Sequence, residues 1–222
     1  MENLPQENLQ EIIKETEQRF RTITDFIPHM VWEIEPDGKF SYINKQWVDW
    51  TGVSLDDINS GGWTAVFHPD DYERVLDTWQ HAFITGAEFY DEYRMKDASG
   101  KYFWFLGKTI PVKNSVGKII KWIGTSTNID DQKKSEEALK ESETQFRQLA
   151  DIMPQQVWTA NEKGELDYVN LVTTNYFGKG EQEIVGAGWQ SVIHPDDIDG
   201  VLKTWITCLQ DLTPYQVEFR LK

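Results

Sequence analysis

The chain has 222 residues, 39% of them apolar and 13% aromatic, with a formal net charge of −15. This length suits one large domain or two of ordinary size, and the negative charge disfavours nucleic acid and anionic membrane surfaces as partners. Cys208 is the single cysteine, which excludes an intramolecular disulfide and a cysteine-based zinc site and favours a cytoplasmic protein.

The N-terminal segment 1–19 predicts an amphipathic helix. Leu9, Ile12 or Ile13, and Phe20 supply a short apolar face on an otherwise charged stretch. No run of residues approaches the roughly 20 apolar positions that a membrane span requires. We therefore expect no membrane contact by residues 1–222, although a longer parent protein could be anchored elsewhere.

The first copy of an internal repeat, described below, contains alternating strand and helix patterns. Apolar residues alternate on both sides of Pro36-Asp37-Gly38, which predicts a hairpin. Short helices are expected after Asn44 and after Ser54, and a longer helix from Pro69 to Gly86. Turn sequences separate three further strands at 88–96, 101–113 and 118–129. The pattern predicts an α+β fold, with one antiparallel sheet and helices over one face.

The repeat has a period of 126 residues. Between Phe20 and Lys96, 25 of 77 positions are identical to the position 126 residues later, without a gap. We expect one domain at 20–130 and a second at 150–222. The equivalents of residues 97–130 would lie beyond Lys222, so we expect the second copy to lack its last strands.

A charged segment at 131–149 joins the two copies and predicts a linker helix. Leu139, Ser142, Phe146 and Leu149 form one narrow stripe with 3-4-3 spacing. Two interpretations remain open at this point. The helix is either a solvated spacer or a two-stranded coiled coil that makes a homodimer, and only about two heptads support the coiled coil.

The tetrapeptide His-Pro-Asp-Asp occurs at 68–71 and again at 194–197. A histidine beside two carboxylates could bind a metal or act as an acid–base pair. The four residues also fit the start of a helix, with His68 as N-cap, Pro69 at the first position, and Asp70 and Asp71 in the first turn. We favour the helix start, and we predict no metal site and no catalytic residue.

Three stretches of the first copy together resemble a known family. They are GKFSYINKQWVDWTG, GGWTAVFHPDDYERVLDTW and DEYRMKDASGKYFWFLGKTIPVKNSVGKIIKWIGTSTNID. In this order they resemble a PAS domain followed by its PAC motif. The resemblance implies a five-stranded antiparallel sheet of order 2-1-5-4-3, with a pocket between sheet and helices. It also implies sensing or dimerisation upstream of a histidine kinase, a cyclic-dinucleotide enzyme or a chemoreceptor.

The resemblance leaves the cofactor unknown. Relatives that sense light through a flavin–cysteine bond carry a cysteine on the short helix before the long one, where this chain has none. Haem-binding relatives use a histidine on the long helix; His81 lies there, but its counterpart in the second copy is Thr207. No cofactor is favoured, while non-covalent flavin and haem stay open.

Two groups of candidate functional residues follow from the resemblance and from the repeat. The ligand-pocket candidates are aromatic: Trp47, Trp50, Trp63, Trp79, Phe83, Tyr93 and Trp104. Trp63 and Trp79 recur as Trp189 and Trp205, which favours core packing over ligand choice for them. The signal-path candidates lie on the third strand and at the end of the last strand: Glu92, Arg94, Asn128 and Asp130.

The signal-path candidates carry two open questions. Glu92 and Arg94 share the strand face opposite Tyr93, where they form either a solvated pair or a docking site for a flanking helix. Asn128 stands where the family usually has an aspartate that ties the last strand to the outgoing helix. We expect a sensory module that relays a change through helical linkers to an output domain; the alternative is a ligand-free scaffold for dimerisation.

Overall fold

The computed structural model describes residues 6–222, with side chains from residue 8 onward. The chain forms two compact units, which we call the first and second units, with the boundary between Glu136 and Glu137. In chain order the elements of the first unit are α1 (Gln6–Phe26), β1 (Met30–Ile34), β2 (Phe40–Ile43), α2 (Lys45–Thr51), α3 (Leu55–Asn59), a 3₁₀ helix (Gly62–Val66), α4 (Pro69–Thr85), β3 (Phe89–Lys96), β4 (Tyr102–Lys113), β5 (Ile119–Asn128) and the start of α5 (Asp130–Ile152).

Local sequence signals explain most of these boundaries. Gly52 ends α2 and Gly86 ends α4, both in the left-handed conformation that glycine adopts without a steric penalty. Ser54 and Asp57 form a capping box at the start of α3. The predicted hairpin, short helices, long helix and three later strands are therefore confirmed.

The five strands of the first unit form one antiparallel sheet of order β2-β1-β5-β4-β3. The β3–β4 pair runs without a register shift, with Tyr93 opposite Phe105 and Arg94 opposite Trp104. One face of the sheet packs against α2, α3 and α4 through a core that includes Trp47 and Trp122. The α+β architecture and the strand order are those expected.

The second unit contains β6 (Trp158–Ala160), β7 (Leu166–Val169), α6 (Leu171–Phe177), α7 (Glu181–Ile184), a second 3₁₀ helix (Gly188–Val192) and α8 (Ile198–Asp211). Within its described residues, β6 and β7 form a two-stranded antiparallel sheet. The segment after α8 runs alongside the unit, where Leu221 forms a bridge with Ile193.

One helix start differs from the expectation. In the first unit α4 begins at Pro69, but in the second unit the corresponding residues form a turn and α8 begins at Ile198. The first turn of α8 contains Gly200, which is a poor helix former, where α4 has Arg74. The second His-Pro-Asp-Asp therefore precedes the helix rather than opening it.

The flanking helices are longer than the sequence predicts. The helix assigned to 1–19 continues to Phe26, while residues 1–5 lie outside the described part of the chain. The linker helix assigned to 131–149 extends over the whole of α5. Among the described residues, no helix is both long and apolar enough to cross a membrane.

Candidate functional site: a cavity and a charged strand in the first unit

A small cavity of about 90 Å³ lies between the sheet and the helices of the first unit. Aromatic residues form most of its wall, and the full lining is Trp32, Ile34, Gly38, Phe40, Trp47, Trp63, Phe67, Val75, Trp79, Phe89, Tyr93 and Ser126. Of the seven ligand-pocket candidates, Trp47, Trp63, Trp79 and Tyr93 therefore line the cavity.

The other three candidates lie away from the cavity. Trp50 packs edge-on against Phe103 and Phe105, and Phe83 stacks on Trp122. Trp104 lies on the opposite sheet face from Phe105, because neighbouring residues of a strand alternate between faces. These three aromatic rings belong to the packing around the cavity or to the outer sheet face.

The cavity contains a few polar groups in an apolar wall. The hydroxyls of Tyr93 and Ser126 are 2.9 Å apart and form a hydrogen bond. Burial raises the pKa of Tyr93 to about 12, so the phenol stays protonated at neutral pH. Trp47 is buried, and its indole Nε1 has no hydrogen-bond partner among the described residues. Ser126 was not among the candidates, although it follows Trp122 and Gly124 on one face of β5.

Two glycines let the cavity walls lie close to the sheet. A Cβ atom at Gly107 would overlap the ring of Tyr93, and a Cβ atom at Gly124 would overlap the ring of Trp32. Both glycines lie within strands, where glycine commonly marks the close approach of another group. The positions of Tyr93 and Trp32 therefore depend on the absence of a side chain at Gly107 of β4 and at Gly124 of β5.

The residues present do not fit flavin or haem in this cavity. Its volume lies well below the roughly 300–1,000 Å³ of cavities that hold drug-sized ligands. His81, the one candidate haem ligand on α4, does not line it, and the 3₁₀ helix Gly62–Val66 contains no cysteine. No group of three or more His, Cys, Asp or Glu side chains within residues 6–222 could hold a metal ion.

The His-Pro-Asp-Asp segment at 68–71 starts α4, and it also binds β3. His68 caps the helix, since its Nδ1 accepts a hydrogen bond from the backbone N–H of Asp70 at 3.2 Å. Asp71 is buried and accepts from the backbone N–H and the guanidinium of Arg94, each at 2.9 Å. Burial alone would raise the pKa of Asp71, but the hydrogen bonds and charge of Arg94 outweigh it and hold the pKa below its ordinary value.

The outer face of β3 connects the sheet to α5. Glu92 pairs with Lys133 of α5 at 2.5 Å, and Arg94 and Lys133 each lie over the ring of Trp104. Of the two arrangements considered for Glu92 and Arg94, a mutual pair is not formed. Instead, Glu92 binds Lys133 of α5, and Arg94 binds Asp71 of α4.

The junction between β5 and α5 uses both remaining signal-path candidates. The side-chain oxygen of Asn128 accepts from the backbone N–H of Asp130 at 2.9 Å. Asp130 pairs with Lys134 at 2.7 Å, and the hydrogen bond from Lys134 is the main cause that lowers the pKa of Asp130. The amide of Asn128 therefore retains the local turn, while the negative charge at this junction comes from Asp130.

Asn44, which the sequence marks only as the residue before a short helix, is a buried structural residue. Its amide group donates to the carbonyls of Thr24 and His29, and its oxygen accepts from the backbone N–H groups of Val31 and Trp47. It thus ties α1 to β1 and α2. The repeated identity with Asn170 was the available signal, since Asn170 makes the equivalent four bonds in the second unit.

Comparisons with known proteins place these features in a family. A family model described as PAS fold matches residues 40–126 and 167–222, which together make up more than half of the chain. The uncharacterized protein y4lL of Sinorhizobium fredii is 32% identical over 205 residues, covering 92% of this chain and 25% of the relative. The peroxide stress-activated histidine kinase mak1 of Schizosaccharomyces pombe is 28% identical over 184 residues, covering 80% of this chain and 11% of the relative.

A solved structure of a sensory box histidine kinase/response regulator from Burkholderia thailandensis is also similar. It is 23% identical, with a TM-score of 0.45, and the match covers 59% of this chain and 98% of that chain. The chain spans a quarter or less of the length of the two relatives named above. On the evidence of the two matched segments, the chain belongs to the PAS fold family.

Proposed function

We propose that this chain is the sensory segment of a larger signalling protein, with a histidine kinase as the output domain. The first unit binds a small ligand in its cavity. The resulting change in packing passes through α5 toward the second unit and the output domain. Similarity to a histidine kinase that responds to peroxide stress supports a sensory role in such a protein. The segment itself performs no catalysis, and we place it in the cytoplasm.

One observation carries this proposal. Strand β3 presents Tyr93 to the cavity on one face and Glu92 and Arg94 to the outer face on the other. Glu92 binds Lys133 in the first turn of α5. A shift of Tyr93 therefore moves the backbone that holds α5, so that the cavity and the outgoing helix share one mechanical element.

Gly107 offers a test of this relay. In Gly107→Ala the new methyl group overlaps Tyr93, so we expect the ring to move and amide hydrogen exchange in the first two turns of α5 to change several-fold. The change should be lost in a Lys133→Met background, since that variant removes the partner of Glu92. Lys140→Met, on an exposed part of α5, is the matched control and should preserve it. Unaltered exchange in α5 of the Gly107→Ala protein would overturn the relay.

A tandem arrangement is part of the same proposal. We assign one PAS domain to 20–130 and a second, incomplete one to 150–222, joined by the helix over 131–149. The 25 repeated identities and the recurrence of the Asn44 bonds at Asn170 support two copies of one fold. Inserting one residue near Ser142 would rotate the two ends of α5 by about 100° and should change the output of the parent protein.

We further propose a homodimer through α1 and α5. Leu139 and Leu149 of α5 are 71% and 63% exposed, and Leu9 and Ile23 of α1 are also exposed. Their spacing suits two-stranded coiled coils. Leu139→Glu should shift the molecular mass in sedimentation equilibrium toward the monomer, whereas Lys140→Glu at the neighbouring exposed position should not.

The alternative is a ligand-free scaffold that only dimerises and holds partners. The small size of the cavity and the exposed apolar residues of α1 and α5 favour it. Native mass spectrometry of the full chain separates the two functions. Dimers without any bound small molecule, and with no response to added ligands, would support the scaffold.

A further inference from the structure

The cavity of the first unit offers hydrogen-bond donors. Tyr93 and Ser126 hold two hydroxyl hydrogens between them, and their mutual bond uses one, so the other remains available. Trp47 lines the same cavity, is 3% exposed, and finds no acceptor for its indole N–H within the described chain. An indole N–H can only donate, so the group that satisfies it must be an acceptor.

The cavity also lacks charge. Within the described residues, no Asp, Glu, Lys, Arg or His side chain lines it. A charged ligand would lose part of its hydration there and gain no counter-ion, which is unfavourable. Because the pKa of Tyr93 is raised to about 12, the phenol also supplies no negative charge at neutral pH. These conditions select an uncharged ligand.

The volume limits the size of the ligand. The volume of the cavity is about 90 Å³. It is smaller than the cavity of about 150 Å³ that binds benzene in an engineered protein. The space therefore admits roughly three to five non-hydrogen atoms.

We infer that this cavity binds an uncharged molecule of roughly three to five non-hydrogen atoms that carries a carbonyl-type oxygen. The oxygen accepts from Trp47 and from the hydroxyl pair of Tyr93 and Ser126, while the aromatic wall covers the apolar part. The inference rests on the proposed function, because it names the ligand class for the same cavity. Short ketones, aldehydes and amides belong to this class.

The test uses the full chain labelled with ¹⁵N and three probes of equal size: acetone, acetamide and acetate. The indole resonance of Trp47 is assigned by its disappearance in Trp47→Phe. Acetone and acetamide should shift this resonance in a saturable way, since a new acceptor reaches the N–H. Acetate at the same concentration should leave it in place because the cavity cannot hold its charge. An indole resonance that no probe shifts, or one that acetate shifts equally, overturns the inference.

Variants sharpen the assignment of the donors. Ligand-observed titrations should show that Trp47→Phe weakens acetone binding by up to about tenfold, since it removes one hydrogen bond. The double variant Tyr93→Phe/Ser126→Ala, which removes both hydroxyls of the pair, should have a similar effect. Trp50→Phe is the matched control, because Trp50 also has a buried indole without a partner but does not line the cavity. Equal loss in Trp50→Phe would contradict a role for Trp47 as donor.

Failure of the ligand class and failure of the relay give different results. If acetone binds but exchange in the first turns of α5 is unchanged, the ligand class stands and the relay is wrong. If acetone does not bind, while Gly107→Ala still alters exchange in α5, the relay stands and the ligand class is wrong.

Discussion

Asp71 binds Arg94 in the first unit, and Asp197 binds Arg220 in the second unit with the same geometry. The Nε–Oδ2 distances are 2.9 and 3.0 Å, and in both units the aspartate also accepts from the backbone N–H of the arginine. The pair links the start of a helix to the strand or extended segment beside it. The hydrogen bonds around the His-Pro-Asp-Asp sequence are therefore common to both units.

The cavities beside these pairs differ. The cavity of the first unit measures about 90 Å³, and a space of about 380 Å³ lies beside the small sheet of the second unit. The two spaces are not equivalent, because the described residues of the second unit include none that correspond to β4 and β5. Thr173 stands in the repeat where the first unit has Trp47, and the first unit also has Phe105 and Trp122 on β4 and β5. The Asp–Arg pair therefore forms without those strands, whereas the small volume of the first cavity depends on them.

The largest expected effect concerns the shared frame. Asn44→Ala removes four hydrogen bonds and leaves buried backbone groups of β1 and α1 without partners, so we expect a loss of about 3 kcal/mol in the stability of the first unit. Asn170→Ala should do the same to the second unit. Hydrogen exchange resolved by unit measures both. Asn59→Ala, at an exposed site, serves as control, and a loss as large there would contradict this role of Asn44.

A second prediction concerns the pH dependence of the Asp71–Arg94 pair. Asp71→Asn should lower stability by about 1–2 kcal/mol at pH 7, since it removes a charge-assisted pair. The pKa of Asp71 is lowered in the folded chain, so the stabilisation is present above the ordinary pKa of about 3.9 and is lost as pH falls through the folded value. Urea unfolding measures the difference in unfolding free energy between Asp71→Asn and the native chain. This difference should therefore shrink only below about pH 4. A difference that disappears near pH 6 would show that another group titrates.

A third prediction uses salt to distinguish the Asp71–Arg94 pair from the Asp197–Arg220 pair. The side chains of Asp71 and Arg94 are 9% and 28% exposed, against 22% and 60% for Asp197 and Arg220. Exposed charges are screened at 1 M salt, where the Debye length is about 3 Å. The effect of Asp197→Asn should fall at high salt, while that of Asp71→Asn should persist. Equal salt dependence in urea unfolding would mean that the two pairs have the same environment.

The smallest expected effect concerns a hydrogen bond that the first unit has and the second unit lacks. The hydroxyls of Thr24 and Tyr42 form a buried hydrogen bond at 2.5 Å, but Ala150 replaces the threonine in the second copy and leaves the hydroxyl of Tyr168 without a partner among the described residues. Thr24→Ala should lower the unfolding free energy of the first unit by about 1 kcal/mol. Ala150→Thr should raise the unfolding free energy of the second unit by part of that amount. Thermal unfolding of the two variants and of the double variant checks the exchange; destabilisation by Ala150→Thr would contradict it.

Several features of the fold and of the site could be predicted from the sequence. Gly52, Ser54, Pro69 and Gly86 act on residues a few positions away, so the ends of their helices follow from the local chain. The 126-residue repeat adds the order of the elements. The alternation along β3 places Tyr93 on one face of the strand, and Glu92 and Arg94 on the other face. These results depend only on short-range geometry and on periodicity.

Only the tertiary structure decided which side chains meet. Trp47 and Trp50 lie three residues apart on α2, yet one lines the cavity and the other packs on Phe103 and Phe105. The partners Asp71 and Arg94 are 23 residues apart, and Tyr93 and Ser126 are 33 apart. Such pairs depend on how the sheet carries distant segments together, and no local pattern contains that information. The sequence by itself thus determined the elements and the family resemblance, while packing determined the cavity, its donors and the connection to α5.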